Sequence, residues 1–235
     1  MAFGYPVFLE LEGRLAVVVG SDAVRANRPE ALLDAGARVT VIAEGPEERL
    51  QELAGRGASI ERRSYLPGDL AGAFICVAAV DDPAVADSIA SEARARGVLV
   101  NVMDNVPNCD FAAPAIVRRG DLQIAIGTGG RSPALARRLR EELSERYGPE
   151  WTEAVRVIGD VRADTLSALP DLADRGRRWS RALDLDELLT LVREGRSAEA
   201  AGRLTARLLN DAFSESEREP GGDQASSLTD SGVRV

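Results

Sequence analysis

The sequence predicts an α/β fold, a doubly wound parallel sheet followed by a small all-helical domain. Over about the first hundred residues, short apolar runs alternate with helical stretches that end at glycine. Parallel neighbours need a crossover connection, and helices of this length supply it, so the alternation indicates a parallel sheet with helices packed on it. After Pro149 the apolar residues have helical spacing throughout, which predicts the separate helical domain.

Five strands and three crossover helices are expected in the first part of the chain. The strand candidates are Leu15 to Gly20, Ala37 to Ala43, ASIERRSY, Ala73 to Val80 and VLVNVMD. The helix candidates are the stretch that closes at Gly36, EERLQELAGRG, and DDPAVADSIASEARARG with Pro83 in its first turn. This order resembles a nucleotide-binding Rossmann unit, in which ligands bind at the carboxyl ends of the strands.

The pattern changes at Asp110. FAAPAIVRRGDLQIAIGTGG has two strand-like runs around a turn at Arg119-Gly120-Asp121, which predicts a hairpin. RSPALARRLREELSERYG predicts a helix with Ser132 as N-cap and Pro133 at its first position. The chain therefore divides into a nucleotide-binding domain at 1–112, a hairpin and helix at 113–148, a helical domain at 149–213 and a polar tail, expected to be disordered, at 214–235.

The composition excludes several kinds of catalysis. The 29 basic residues are all arginine, because the chain has no histidine and no lysine. A histidine base, a Ser-His-Asp triad, a lysine Schiff base and a P-loop lysine are therefore ruled out, and acid–base work falls to carboxylates. The net charge of −9 argues against a nucleic-acid partner.

Neither a membrane partner nor a permanent metal site is expected. No apolar run approaches the roughly 20 residues that span a bilayer, and the start of the chain lacks the pattern of a signal peptide, so we expect a cytoplasmic protein. Cys76 and Cys109 lie far apart with no CxxC pairing, which argues against a disulfide or a thiolate metal site.

Two candidate cofactor segments follow the first two strands. Gly20-Ser21-Asp22-Ala23-Val24 lies where a dinucleotide-binding domain has its glycine-rich turn, although Asp22 and Arg25 replace its second and third glycines. Glu44, before Gly45, lies where an acidic residue holds the ribose of NAD, and this favours NAD over NADP. Plain structural interpretations stay open, with Ser21 and Asp22 as helix caps and Glu44 as a solvated residue before a turn.

Two further polar segments could face a substrate. Asp104 ends the fifth strand, at the sheet edge where such folds bind ligands, but it could also be a turn residue that caps its own backbone. Thr128-Gly129-Gly130-Arg131-Ser132 opens a helix, so its N–H groups suit an anion. A plain helix cap beside solvated arginines is the competing interpretation.

Several stretches together resemble the precorrin-2 dehydrogenase and sirohydrochlorin ferrochelatase family, which includes the N-terminal part of siroheme synthase. They are YPVFLELEGRLAVVVG, LLDAGARVTVIA, FICVAAVDDPAV, ARARGVLVNVMDN and CDFAAPAIVRRGDLQIAIGTGGRSPALARRLR. The resemblance runs from about Tyr5 to Phe213, and VNVMDN, DFAAPAIV and TGGRSPALAR are its most specific parts. It implies a Rossmann-type NAD-binding domain at 1–112, a dimerisation and tetrapyrrole-site segment at 113–148, and a homodimer.

The resemblance also implies roles for individual residues. NAD contacts would fall on Gly20, Ser21, Asp22, Ala23, Val24, Glu44 and Gly45. Asp104 matches the aspartate implicated in both dehydrogenation and metal insertion. The tetrapyrrole would lie at Thr128, Gly129, Gly130, Arg131 and Ser132, where many relatives have a serine in place of Thr128.

The implied function is the end of siroheme synthesis, the NAD-dependent oxidation of precorrin-2 to sirohydrochlorin, with Fe2+ as a possible substrate of a second, chelating step. Two alternatives stay open. The chain could be a dehydrogenase that leaves chelation to another protein. It could instead be a non-catalytic tetrapyrrole-binding protein whose NAD turn has eroded at Asp22 and Arg25.

Overall fold

The computed structural model describes residues 4–210, and the tail expected at 214–235 lies outside them. The chain forms two compact units. Among the described residues, the first unit contains 4–115 together with Ile126–Arg138, and the second contains Ile116–Ala125 together with 139–210.

The first unit is built on a five-stranded parallel sheet. Its strands are β1 (Leu15–Val19), β2 (Arg38–Ile42), β3 (Ser59–Glu61), β4 (Ile75–Ala78) and β5 (Leu99–Val102). The strand order is β3-β2-β1-β4-β5, so the chain reverses its direction of travel across the sheet between β1 and β4. This reversal is the topological switch point of a doubly wound Rossmann-type sheet, which confirms the predicted fold class.

The helices of this unit cover both faces of the sheet. They are α1 (Ser21–Arg25), α2 (Arg28–Leu33), α3 (Glu47–Gly55) and α4 (Pro83–Arg96). Val18 packs in one core cluster with Leu50 of α3, whereas Val17 packs in the other with Ile89 of α4. Because successive strand residues point to opposite faces, this alternation places a buried core on each side of the sheet.

Two expected elements differ from the structure. The strand expected in ASIERRSY is only three residues long, because Arg63 makes two bonds to Asp69, of 2.7 and 2.8 Å, within the loop that follows. The first crossover helix is broken into α1 and α2 at Asn27, whose φ of 54° is left-handed and cannot continue a helix.

Gly20 joins β1 to α1 with a φ of 94°, and a Cβ built on it would lie 1.9 Å from the carbonyl oxygen of Ala79. We expect Gly20→Ala to lower the free energy of unfolding by about 3 kcal/mol, since both the overlap and the positive φ are unfavourable. Gly13→Ala is the matched control, because its φ is 66° but nothing lies within 4 Å, so a cost of about 1 kcal/mol is expected.

Urea unfolding of both variants measures the difference in stability. With an unchanged dependence of the free energy on urea concentration, the shift in the midpoint concentration gives the change in the free energy of unfolding. If Gly20→Ala and Gly13→Ala lower the free energy of unfolding by the same amount, the turn at Gly20 moves away from Ala79 to accommodate the new Cβ, contrary to this prediction.

The second unit combines the predicted hairpin with the predicted helices. The hairpin strands are β6 (Ala115–Arg119) and β7 (Leu122–Ile126), and the long helix that follows is α5 (Pro133–Arg146), whose residues up to Arg138 belong to the first unit. The helical domain consists of α6 (Glu150–Thr165), α7 (Leu172–Ala182), α8 (Leu185–Arg193) and α9 (Ser197–Leu209). Val157 and Leu188 lie in one of its two core clusters, and Val161 and Leu208 lie in the other.

Between residues 4 and 210, the structure has no helix with both the length and the apolar character needed to span a bilayer.

Candidate functional site

A cleft of about 330 Å³ opens at the carboxyl ends of β1, β4 and β5, next to the switch point. Asp22 from the turn after β1 and Asp81 from the turn after β4 line it together with Asp104. The remaining lining residues are Ala79, Val80, Pro83, Ala86, Val102, Met103 and Asn105. Two residues singled out from the sequence, Asp22 and Asp104, are therefore brought into one cleft.

Asp104 lies two residues beyond the end of β5 and has a φ of 60°, which is left-handed. Within the described chain, no hydrogen bond or ion pair reaches its carboxylate, so the bond required of a backbone-capping aspartate is missing. A non-glycine residue in this conformation costs free energy, and such residues cluster at active sites and ligand-binding turns. The carboxylate is exposed to the cleft and unpartnered, as a proton acceptor must be before substrate arrives.

The segment after Asp104 is tied back onto β5. Asp110 donates its backbone N–H to the carbonyl of Val100 at 2.7 Å and accepts the Val100 N–H on its carboxylate at 3.1 Å. The amide of Asn101 donates to the carbonyl of Phe111 at 2.8 Å. The Asn108 amide is buried and donates to Asp87 of α4 at 2.7 Å. Asn101 and Asn108 therefore hold the loop in place, whereas Asp104 and Asn105 face the cleft.

The first turn, Gly20 to Val24, approaches the end of β2. Ser21 Oγ lies 3.7 Å from the position that a Cβ on Gly45 would occupy. Ala23 and Val24 are fully buried in the core, so they can contact a cofactor only through their backbone. No side-chain cap is present at the start of α1, so the capping interpretation of Ser21 and Asp22 lacks its hydrogen bond. Asp22 instead pairs with Arg25.

Glu44 follows β2 and has a partner that the sequence did not indicate. Ser64 Oγ donates to Glu44 Oε1 at 3.2 Å, across 20 residues of sequence. Ser64 lies between Arg63, which is bonded to Asp69, and Tyr65. The loop after β3 therefore orients the carboxylate that was expected to bind ribose. No sequence pattern marks this serine, because the contact arises only when the loop folds over the end of β2.

Glu92 of α4 anchors the same loop. Its carboxylate accepts the Tyr65 hydroxyl, the N–H groups of Gly68 and Leu70 at 2.8 and 3.3 Å, and Arg96 Nε at 2.7 Å. Burial raises the pKa of the Tyr65 hydroxyl, and the bond to Glu92 adds to that increase. Burial alone would raise the pKa of Glu92 as well, but these hydrogen bonds outweigh it and lower that pKa. Glu92 is therefore ionised near neutral pH, and its carboxylate serves to hold this loop and Arg96 by hydrogen bonds.

The Thr128–Ser132 turn is closed by its own groups. The Ser132 N–H donates to Thr128 Oγ1 at 3.2 Å, and the Leu135 N–H donates to Ser132 Oγ at 3.1 Å. Gly129 and Gly130 have φ angles of 60° and 76°, which the turn requires. Arg131 is exposed, and none of the five residues lines the cleft. The predicted N-cap role of Ser132 is present in the structure.

The two cysteines are free thiols outside the cleft lining. Burial raises the pKa of Cys76 to about 12, and burial also raises the pKa of Cys109. Neither thiol is therefore a thiolate near neutral pH. Over residues 4–210, no group of three or more Cys, Asp or Glu side chains is arranged to hold a metal ion.

Comparison with known proteins gives matches along most of the chain. Residues 7–115 match a family model described as putative NAD(P)-binding, and residues 119–146 match the model of the sirohaem biosynthesis protein central region. The siroheme synthase of Methylococcus capsulatus is 36% identical over 83% of this chain and 41% of its own length. Siroheme synthase 2 of Aeromonas salmonicida is 33% identical over 92% of this chain and 44% of its own length.

The chain thus spans less than half the length of these curated relatives. A solved structure named "SirC, precorrin-2 dehydrogenase" superposes with a TM-score of 0.66 at 27% identity, covering 86% of this chain and 98% of that chain. The two family models match the Rossmann-type sheet and then the hairpin turn with α5, in the order found here. The chain belongs to the precorrin-2 dehydrogenase and sirohydrochlorin ferrochelatase family, which includes the N-terminal part of siroheme synthase.

Proposed function

We propose that this chain is an NAD-dependent precorrin-2 dehydrogenase of siroheme biosynthesis. The observation that carries the proposal is the unpartnered carboxylate of Asp104, held in a strained turn at the rim of the switch-point cleft. The solved structure that superposes on this chain is named for the same activity. An open ligand-binding cleft with a free carboxylate is what a proton abstraction requires in a chain without histidine or lysine.

The residues around the first turn fit a dinucleotide. The backbone N–H groups that begin α1 have no side-chain cap, and such groups bind a pyrophosphate at the start of a Rossmann helix. Glu44 offers a carboxylate to the ribose and is oriented by Ser64. Gly20, Ser21, Asp22, Ala23, Val24 and Gly45 would surround the pyrophosphate and ribose. NAD would accept a hydride here when bound.

Asp104 would take the proton that leaves precorrin-2 as the hydride departs, giving sirohydrochlorin. The reaction balances, because the substrate loses one hydride and one proton. The tetrapyrrole carries several carboxylates, and Arg131 at the Thr128–Ser132 turn is an exposed cation that can bind one of them. This arginine would orient the substrate and is not required for the chemistry.

Fe2+ insertion is the second candidate activity, and it rests on the same carboxylate. Chelation places Fe2+ in the ring and releases two pyrrolic protons, which Asp104 could accept in turn. A non-catalytic tetrapyrrole-binding role would not need a strained and unpartnered Asp104. In the chelation step Fe2+ would be a substrate and not a cofactor that the protein holds permanently.

One anaerobic assay tests these candidates. Purified protein is mixed with precorrin-2 and NAD+, and the absorbance of sirohydrochlorin and NADH is followed before Fe2+ is added. Turnover that depends on NAD+ supports the dehydrogenase, and faster siroheme formation than without protein supports chelation. Binding of precorrin-2 without turnover would contradict the proposal and favour the non-catalytic alternative.

We also infer a cytoplasmic homodimer with no nucleic-acid or membrane partner. The dimer is supported by the exposure of the segment around the hairpin, since no side chain of α5 is buried and Val117 is the only buried residue of β6 and β7. A two-stranded hairpin is at best marginally stable by itself, so a second copy of the chain would cover it.

Light scattering is expected to give twice the mass of the chain. Ile116→Glu should shift the population toward monomer, because Ile116 is an exposed apolar residue of β6, 39% accessible. Leu172→Glu is the matched control, since Leu172 is 73% exposed at the start of α7 and should not change the mass. A parent chain that is monomeric at micromolar concentration would contradict the dimer.

A further inference from the structure

Asp22 places a carboxylate in the proposed pyrophosphate site. It is the second residue of α1, directly after the Gly20-Ser21 turn, and it lines the cleft together with Asp81 and Asp104. The usual dinucleotide turn has glycine at this position so that the backbone can approach the pyrophosphate. An unpaired carboxylate here would repel the phosphates, and Asp81 and Asp104 add negative charge at the same cleft.

Arg25 is bonded to this carboxylate. Its Nη1 contacts Asp22 Oδ1 one turn along α1, and the two side chains are 65% and 57% exposed. Over the described chain, Asp22 is the only one of the three cleft carboxylates with an arginine partner. An exposed pair at this spacing contributes little to folding, and α1 is only five residues long. Stability is therefore a weak explanation for the pair.

We propose that Arg25 is the counter-charge of Asp22, and that it allows the first turn to accept the pyrophosphate of a dinucleotide. The inference rests on the proposed NAD-dependent function. Arg25 stands where the third glycine of the usual turn is found, so the two departures from that turn compensate each other. Arg25 is a positioning residue of the cofactor site, and it acts through Asp22.

Titration calorimetry of the full chain with NAD+ tests the proposal without any need for turnover. Arg25→Ala should weaken binding about tenfold or more, because Asp22 is left unpaired beside the pyrophosphate. Arg25→Lys should retain most of the affinity, since it keeps the charge. Asp22→Gly should bind NAD+ at least as tightly as the parent.

The double variant separates the counter-charge from a direct contact. In the Asp22→Gly background, Arg25→Ala should change the affinity by less than about threefold, because the repelling carboxylate is absent. High salt should reduce the difference in NAD+ affinity between Arg25→Ala and the parent, because it screens the repulsion between Asp22 and the pyrophosphate. Arg56→Ala is the matched control, since it breaks an exposed pair with Asp34 outside the cleft lining and should leave binding unchanged.

The possible failures are distinguishable. If the parent does not bind NAD+, both the cofactor proposal and the role of Arg25 are overturned. If the parent binds and Arg25→Ala binds equally well, only the role of Arg25 is overturned. If Arg25→Ala weakens NAD+ binding as much in the Asp22→Gly background as in the parent, Arg25 contacts the cofactor directly. That result overturns its role as the counter-charge of Asp22.

Discussion

Asp104→Asn is expected to lower the rate of precorrin-2 oxidation by about a hundredfold or more, which is the usual loss when a positioned acid–base group is removed. Asparagine keeps the shape of the side chain and tolerates a left-handed φ, so the fold should be unchanged. NAD+ binding should also survive, because the expected cofactor contacts lie at the first turn and at Glu44.

Asp104→Gly separates stability from activity more sharply. Glycine adopts a φ of 60° without strain, so this variant should be as stable as the parent or more stable by up to about 1 kcal/mol. Its dehydrogenase rate should nevertheless fall as far as that of Asp104→Asn. If Asp104 served folding and not catalysis, Asp104→Gly would instead lose stability and keep its dehydrogenase rate.

The measurements are the anaerobic rate, the affinity for NAD+ by calorimetry, and the urea midpoint of each variant. Asp164→Asn is the control, because Asp164 is an exposed aspartate of α6 and should alter none of the three. Turnover of precorrin-2 by Asp104→Asn at nearly the parent rate would mean that another group or water is the base. The family membership would stand in that case, but the assignment of Asp104 would not.

The sheet of this protein could be predicted from the sequence because its signals are local. LAVVV and ICVA are buried apolar strands, and Gly97 ends α4 with a φ of 69°, as a glycine after a helix is expected to do. Alternation of strands and helices then requires a parallel sheet. The position of Asp104 near the carboxyl end of a strand followed from the same signals.

The geometry of the site could not be predicted, because it depends on contacts distant in sequence. The positive φ of Asp104 accompanies a loop that is tied back to β5 through Asp110. The bond from Ser64 to Glu44 needs the loop after β3 to be folded. A strand was expected in that loop, since the sequence does not reveal that Arg63 binds Asp69 or that Tyr65 binds Glu92.

Glu92→Ala is expected to lower the free energy of unfolding by about 3 kcal/mol. The Glu92 side chain is 12% exposed, and its removal leaves the N–H groups of Gly68 and Leu70 and the Tyr65 hydroxyl without their acceptor. Tyr65 and Leu70 are buried and Gly68 is exposed, and the loss of a charged acceptor by these donors costs about this much in total. Glu48→Ala is the control, because Glu48 is an exposed glutamate in the first turn of α3 and should cost less than about 0.5 kcal/mol.

The pH dependence identifies the ionised carboxylate as the stabilising species. The folded pKa of Glu92 is lowered from its ordinary value of 4.5, so its contribution is complete above that pH and is lost as the pH falls through the folded pKa. Glu92→Gln cannot titrate, and the parent's advantage over it should therefore be constant from neutral pH down to about pH 5 and shrink below that. Urea midpoints of both proteins across this range measure the difference. An advantage that does not change with pH would mean that the shape of the Glu92 side chain, and not its charge, holds the loop beside Glu44.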